Sequence, residues 1–167
     1  MTHRTIEAAL DLFDRRILSS SAQLGLGWPD TADPDSEELV RRYTHKGLHA
    51  NATWVRAQAW AILAFAAGAR CFPEEPGILQ AAWRAAAWWM ARAPGDEIVA
   101  WDFETPADDL RDSSASAIAV AGLLKLAPYV SSREAGQLRE VARRTVETLV
   151  SRYLTPVVPA DARGRAC

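Results

Sequence analysis

The chain reads Thr53-Trp54-Val55-Arg56-Ala57-Gln58-Ala59-Trp60 at the start of an alanine-rich segment that extends to Arg70. Arg56 and Trp60 are four residues apart, so in a helix they lie on the same face. A guanidinium group can bind a carboxylate through two parallel hydrogen bonds, and an indole ring offers a flat surface beside it. The segment therefore predicts a helix that either presents a surface for an anionic sugar or buries its tryptophans in a core.

Apolar spacing and terminating residues predict helices along most of the chain. The predicted helices cover residues 5–18, 51–70, 77–93, 112–127 and 131–154. Asp112 or Ser113 is expected to cap the fourth helix, and Ser131 and Glu134 have the spacing of a capping box at the fifth. The chain is therefore expected to be all-α, with about five helices.

The composition of the helices predicts two layers. Residues 51–70 and 112–127 are crowded with Ala, Ser and Gly, which is typical of inner helices that approach each other closely. Residues 77–93 and 131–154 carry more charge on one side, as outer helices do. We expect a single domain over residues 1–155, with a short extended stretch at 98–103, and a disordered tail at 156–167.

Composition also bears on partners and location. Hydrophobic residues make up 49% of the chain and charged residues 24%, with a net charge of −2. No basic stripe alternates with aromatic residues, so a nucleic-acid partner is not expected. No run reaches the roughly 18 apolar residues of a membrane span. The only cysteines are Cys71, expected to be a small buried residue, and Cys167, which together favour a cytoplasmic location over a disulfide-rich one.

Three ordered motifs give the chain a specific resemblance. The first pairs Thr44-His45-Lys46-Gly47 with the segment 53–60, like a T-H-Q-G loop and a W-x-R-G-Q-x-W helix start. The second is Trp101-Asp102-Phe103-Glu104-Thr105-Pro106, like Y-W-D-F-x-x-P. The third is Arg111-Asp112-Ser113-Ser114-Ala115-Ser116-Ala117, like R-D-S-S-A-S-A. Over roughly residues 40–155 the chain resembles the unsaturated glucuronyl hydrolases of glycoside hydrolase family 88.

The resemblance implies an (α/α)6 barrel of six helical hairpins, of which this chain would form an incomplete part. It also implies a glycosidase that releases an unsaturated uronic acid from oligosaccharides. In that reaction a carboxylic acid protonates the enol-ether double bond, water adds to the ring, and the sugar opens to a keto acid. The implied partner is an unsaturated uronic-acid oligosaccharide, and no metal or organic cofactor is implied.

The resemblance also suggests which residues bind substrate. Arg56 and Trp60 are expected to line the sugar-binding subsite, with Arg56 near the uronate carboxylate. Trp54 either does the same or packs under a loop. Lys46 stands where the family usually has glutamine, and it either pairs with a carboxylate or sulfate or remains solvated. Gln58 favours the glucuronyl branch over the related rhamnogalacturonyl hydrolases.

Other chemistry is less well supported by the sequence. His45 and His49 are four residues apart, but Gly47 between them disfavours a helix and no third ligand is evident, so no metal site is expected. Asp102 and Glu104 suggest a pair of carboxylates, yet they lie in a stretch expected to be structural. Asp112 is expected to be a helix cap that Arg111 holds.

The chain also departs from the family. The family's acidic catalytic residues lie in the N-terminal part of the barrel, before the region that matches, so we assign no catalytic residue. The chain is expected to be a truncated, inactive piece whose open half-ring exposes apolar edges and self-associates. A non-catalytic uronate-binding module, or an all-helical scaffold with its tryptophans in the core, remains the alternative.

Overall fold

The computed structural model describes residues 46–49, 52–96, 98–106 and 110–155. Its four α-helices are α1 (Val55–Cys71), α2 (Pro76–Met90), α3 (Ser113–Leu126) and α4 (Ser132–Thr148). A 3-10 turn at Ala127–Tyr129 follows α3, and a π-helical segment at Leu149–Tyr153 follows α4. The predicted all-α class is confirmed. The predicted helix at 5–18 and the predicted tail at 156–167 lie outside the described residues, so the proposed domain limits stay a prediction.

Helices α1 and α3 pack side by side along surfaces of small residues. The buried small residues are Ala57, Ala59, Ala61, Ala66 and Ala69 of α1 and Ala115, Ser116, Ala119 and Gly122 of α3. At Gly122 the two backbones approach so closely that a Cβ atom there would lie 2.8 Å from the backbone nitrogen of Leu63. Helix α2 packs against α1, and α4 packs against α3. The structure therefore has two inner helices and two outer helices, as predicted.

The core lies between these two layers. Its largest fully buried apolar side chains are Trp89, Ile62, Ile98, Leu123, Leu126 and Leu138. The Trp89 ring, on α2, makes an edge-to-face contact with Phe103 at 5.4 Å between ring centroids. Phe103 also makes an edge-to-face contact with Trp88, at 4.8 Å. Aromatic packing therefore fastens the stretch before α3 onto outer helix α2.

Capping residues fix where α3 and α4 begin. Asp112 accepts a hydrogen bond from the Ala115 amide at 2.9 Å, which caps α3. At α4, Ser131 and Glu134 form a reciprocal capping box. Both caps confirm the prediction, because a cap depends on residues only three apart and is therefore visible in sequence.

The end of α1 differs from what the sequence suggests. Pro76 does not lie in the break after α1 but is the first residue of α2, where a missing backbone N–H costs nothing. Cys71 is the last residue of α1, and its side chain is exposed. The expectation that Cys71 is buried is therefore wrong, because a residue in the last turn of a helix need not face the core.

The predicted extended stretch at 98–103 connects the starts of the two inner helices. Isolated β-bridges join Trp54 to Asp102 and Ala100 to Arg111. The Phe103 amide donates to the Thr53 carbonyl at 3.1 Å, on the α1 side. On the α3 side, the Asp112 amide donates to the Val99 carbonyl at 2.8 Å. This stretch therefore holds the N-terminal ends of α1 and α3 next to each other.

Candidate functional site

An ion pair joins the N-terminal ends of the two inner helices. Arg56 is the second residue of α1, and Asp112 is the N-cap of α3. The Nε atom of Arg56 donates a hydrogen bond to Oδ2 of Asp112 at 2.7 Å. The Arg56 side chain remains 48% exposed, whereas that of Asp112 is only 5% exposed. A buried carboxylate therefore holds one edge of a half-exposed guanidinium group.

The surroundings of Asp112 keep its carboxylate charged. Its Oδ1 atom accepts hydrogen bonds from the Ser114 hydroxyl at 2.6 Å and from the Ala115 amide at 2.9 Å. Burial by itself raises the pKa of this carboxyl, but the hydrogen bonds from Ser114, Ala115 and Arg56 outweigh it and hold the pKa below its ordinary value. Asp112 is therefore an anion near neutral pH.

Arg111 does not hold Asp112, contrary to expectation. Its Nη1 atom donates instead to the carbonyl oxygen of Ile98 at 2.5 Å. Arg111 is paired with Ala100 in a β-bridge. Because successive side chains of an extended backbone point to opposite sides, Arg111 and Asp112 face different partners.

Trp60 lies on the same face of α1 as Arg56, one turn further along the helix. It is 51% exposed, which is unusual for so large an apolar side chain. The hypothesis that Trp60 is a core residue is therefore wrong for the part of the chain that the structure describes. Trp54 precedes α1 as its N-cap residue and is half-buried. Arg56 and Trp60 thus offer a guanidinium and an indole to solvent from one helix face.

Asp102 organises the loop that contains Lys46. It is fully buried, and its Oδ2 atom accepts a hydrogen bond from the Leu48 amide at 3.0 Å. Its Oδ1 atom accepts from the Glu104 amide at 2.9 Å. Since backbone amides occupy both oxygens, Asp102 has the structural role that was expected. Lys46, two residues before Leu48, is exposed.

The described residues show neither a metal site nor a membrane span. No group of three or more His, Cys, Asp or Glu side chains among them is arranged to hold a metal ion. His49 is exposed, and His45 lies outside the described residues. None of the helices described in 46–155 is long and apolar enough to cross a membrane.

The pairing of Arg56 with Asp112 is the part of the site that sequence reasoning missed. The two residues are 56 positions apart, and only the packing of α1 against α3 brings them together. The available signal was that each stands near the predicted start of an inner helix. Two helices that start at the same end of a layer place such residues side by side.

The arrangement of the helices defines the structural class of the protein. Paired inner helices rich in small residues, each backed by an outer helix, form part of an (α/α)6 barrel like that of the solved structures that the chain matches. The crystal structure of the unsaturated glucuronyl hydrolase from Bacillus sp. GL1 aligns with a TM-score of 0.68 and 38% identity, covering 74% of this chain and 33% of that one. An unsaturated glucuronyl hydrolase specific for heparin aligns with a TM-score of 0.67 and 29% identity, covering 72% of this chain and 33% of that one.

Sequence comparison gives the same result. The chain is 38% identical over 125 residues to the unsaturated glucuronyl hydrolase of Bacillus sp. (strain GL1), covering 72% of this chain and 33% of the relative. It is 35% identical over 105 residues to that of Formosa agariphila, covering 60% and 26%. No protein-family model matches it. The chain is thus a partial homologue of the unsaturated glucuronyl hydrolases, and spans about a third of the length of the curated relatives it matches.

Proposed function

We propose that this chain forms the uronate-holding part of a glycoside hydrolase of the unsaturated glucuronyl hydrolase type. The observation that carries the proposal is the common face of α1, on which Arg56 and Trp60 are both about half exposed. The substrate class would be an oligosaccharide that ends in an unsaturated uronic acid. Two relatives support this class by name, and the Bacillus enzyme is described as responsible for the degradation of glycosaminoglycan.

Each proposed binding residue has a distinct physical role. Arg56 binds the uronate carboxylate through charge-assisted hydrogen bonds, which are the stronger kind. Trp60 provides the flat apolar surface against which a sugar ring stacks. Trp54 lies at the start of the same helix and completes the edge of this surface. Lys46, in the loop that Asp102 holds, would meet a second carboxylate or a sulfate further along the substrate.

The reaction proposed for the family is hydration of the double bond after protonation by a carboxylic acid. Neither buried carboxyl described here suits that role. Both carboxylate oxygens of Asp102 accept hydrogen bonds from backbone amides. A general acid must carry a proton, whereas the lowered pKa of Asp112 keeps its carboxylate ionised. We therefore assign no catalytic residue and propose that the chain, by itself, binds the uronide without turning it over. This observation favours the non-catalytic alternative for the isolated chain.

A cytoplasmic location is also part of the proposal. Cys71 is a free thiol with an exposed side chain. Exposed free thiols persist most readily where the surroundings are reducing. Measurement of the fraction of Cys71 that is oxidised in intact cells would test this location.

The first prediction concerns self-association. Apolar side chains border a groove between the start of α3 and the π-helical segment that follows α4; those lining it include Ala117, Leu149, Val150, Tyr153 and Leu154. Val150 is 56% exposed and Leu154 is 66% exposed. Such an edge favours contact with a second copy. Analytical ultracentrifugation should therefore show an average molar mass that increases with protein concentration. Val150→Asp should reduce this increase. A monodisperse monomer with a sharp, cooperative melt would contradict this prediction.

The second prediction concerns Arg56 and tests the proposed function. Arg56→Ala should weaken binding of an unsaturated uronic-acid disaccharide by roughly 10- to 100-fold, because charge-assisted hydrogen bonds contribute about 1.5–3 kcal/mol. Titration calorimetry of the full chain measures this affinity. Arg70→Ala is the matched control, since Arg70 is an exposed arginine at the other end of α1.

The outcomes of that titration are distinct. Loss of binding in Arg56→Ala with normal binding in Arg70→Ala supports a uronate subsite. Equal affinity in the wild type and in Arg56→Ala would overturn it. The ultraviolet absorbance of the substrate double bond should stay constant during incubation with the wild-type chain. A steady decrease would mean that the chain is catalytic, and the assignment of no catalytic residue would then be wrong.

A further inference from the structure

We propose that Asp112 is a positioning residue that fixes the orientation in which Arg56 binds a uronate. This inference rests on the proposed function of Arg56. The inference goes beyond the proposed function in two ways. It names the edge of the Arg56 guanidinium that the substrate uses, and it names Asp112 as the residue that leaves this edge open. The contact that carries it is the 2.7 Å hydrogen bond from Nε of Arg56 to Oδ2 of Asp112.

The geometry of a guanidinium group determines which edge remains. Arginine has five N–H donors in a rigid plane, one on Nε and four on the two Nη atoms. Asp112 occupies Nε, so the edge formed by Nη1 and Nη2 is the one that can still bind a carboxylate with two parallel bonds. The 48% exposure of the Arg56 side chain agrees with an open terminal edge. A uronate should therefore bind Arg56 end-on.

Asp112 is itself held rigidly. Its other oxygen, Oδ1, accepts hydrogen bonds from the Ser114 hydroxyl and the Ala115 amide, both at the start of α3. The carboxylate is nearly buried, so it cannot follow Arg56 into different rotamers. Because one end of the ion pair is fixed to α3, Arg56 has less conformational freedom to lose when it binds a ligand. The pair also couples the two inner helices to the binding face.

The third prediction separates positioning from capping. In Asp112→Asn the side-chain oxygen can still accept from the Ala115 amide, because asparagine is a good N-cap residue. Its NH2 group, which would then replace Oδ2, is a donor and cannot accept a hydrogen bond from Nε of Arg56. Affinity for the unsaturated disaccharide should fall by about three- to tenfold, which is the cost of ordering one long side chain. The nitrogen-15 NMR signal of the Arg56 Nε–H, sharp and protected in the wild type, should broaden.

A capping variant provides the control. Ser131→Ala removes the capping box at the start of α4, away from Arg56. It should lower stability and leave both the affinity and the Arg56 Nε–H signal unchanged. If Asp112→Asn binds as tightly as the wild type, or loses no more affinity than Ser131→Ala, Asp112 does not position Arg56, although the proposed function stands. If the wild type does not bind the disaccharide at all, both proposals fail.

Discussion

Replacing Gly122 by alanine should lower the free energy of unfolding by about 1–3 kcal/mol, which is typical of overpacking a close contact. An added Cβ would lie 2.7 Å from Cγ2 of Ile62 and 2.8 Å from the backbone nitrogen of Leu63. A side-chain atom can turn away, but a backbone atom cannot, so α1 and α3 would have to separate. Urea unfolding followed by circular dichroism measures the change.

Gly136→Ala is the matched control for this prediction. Gly136 lies in α4, and a Cβ added there would have no atom within 4 Å. Alanine is the better helix former by about 0.5–1 kcal/mol, so this variant should be more stable than the wild type. The change in the free energy of unfolding is therefore expected to be negative for Gly122→Ala and positive for Gly136→Ala. If Gly122→Ala were also stabilising, the close approach of the inner helices would be wrong.

Replacing Trp89 by alanine should cost about 3–5 kcal/mol, because it empties a large volume in the core. Trp89 is 2% exposed and contacts the Phe103 ring edge to face. Trp60→Ala, by contrast, should lower the free energy of unfolding clearly less than Trp89→Ala, since Trp60 is 51% exposed and only part of its ring surface is buried. The same denaturation experiment measures both variants.

The comparison of the two tryptophans also bears on function. Trp60→Ala should weaken binding of the disaccharide while the fold remains intact. A large loss of stability in Trp60→Ala, comparable to that in Trp89→Ala, would mean that Trp60 packs in a core after all. The proposed sugar-stacking surface on α1 would then lose its main apolar residue.

Local sequence signals predicted much of the fold. The cap at Asp112 and the capping box at Ser131 and Glu134 depend on residues three apart, and the structure confirms them. The small residues of α1 and α3 predicted two inner helices, because only such residues allow backbones to approach at Gly122. These features depend on local composition and spacing, which a single sequence contains.

Features that depend on how helices meet could not be predicted in the same way. The alanine-rich surroundings of Trp60 left open whether its ring lies in the core or faces solvent, and only the packed structure shows that it is 51% exposed. Arg111 was the nearest cation to Asp112 along the chain, but the packing of α1 against α3 brings Arg56 to it instead. The sequence therefore suggested individual residues of the candidate site, but only the structure shows how they are arranged. The role of the site in binding stays a prediction.

The most direct test of the central claim is an NMR titration of the full chain with an unsaturated uronic-acid disaccharide. If the exposed face of α1 holds the uronate, the side-chain N–H signals of Arg56 and Trp60 should shift together and saturate at one affinity. The indole signal of buried Trp89 should stay in place. Shifts confined to other surfaces, or none at Arg56 and Trp60 at saturating ligand, would contradict the account.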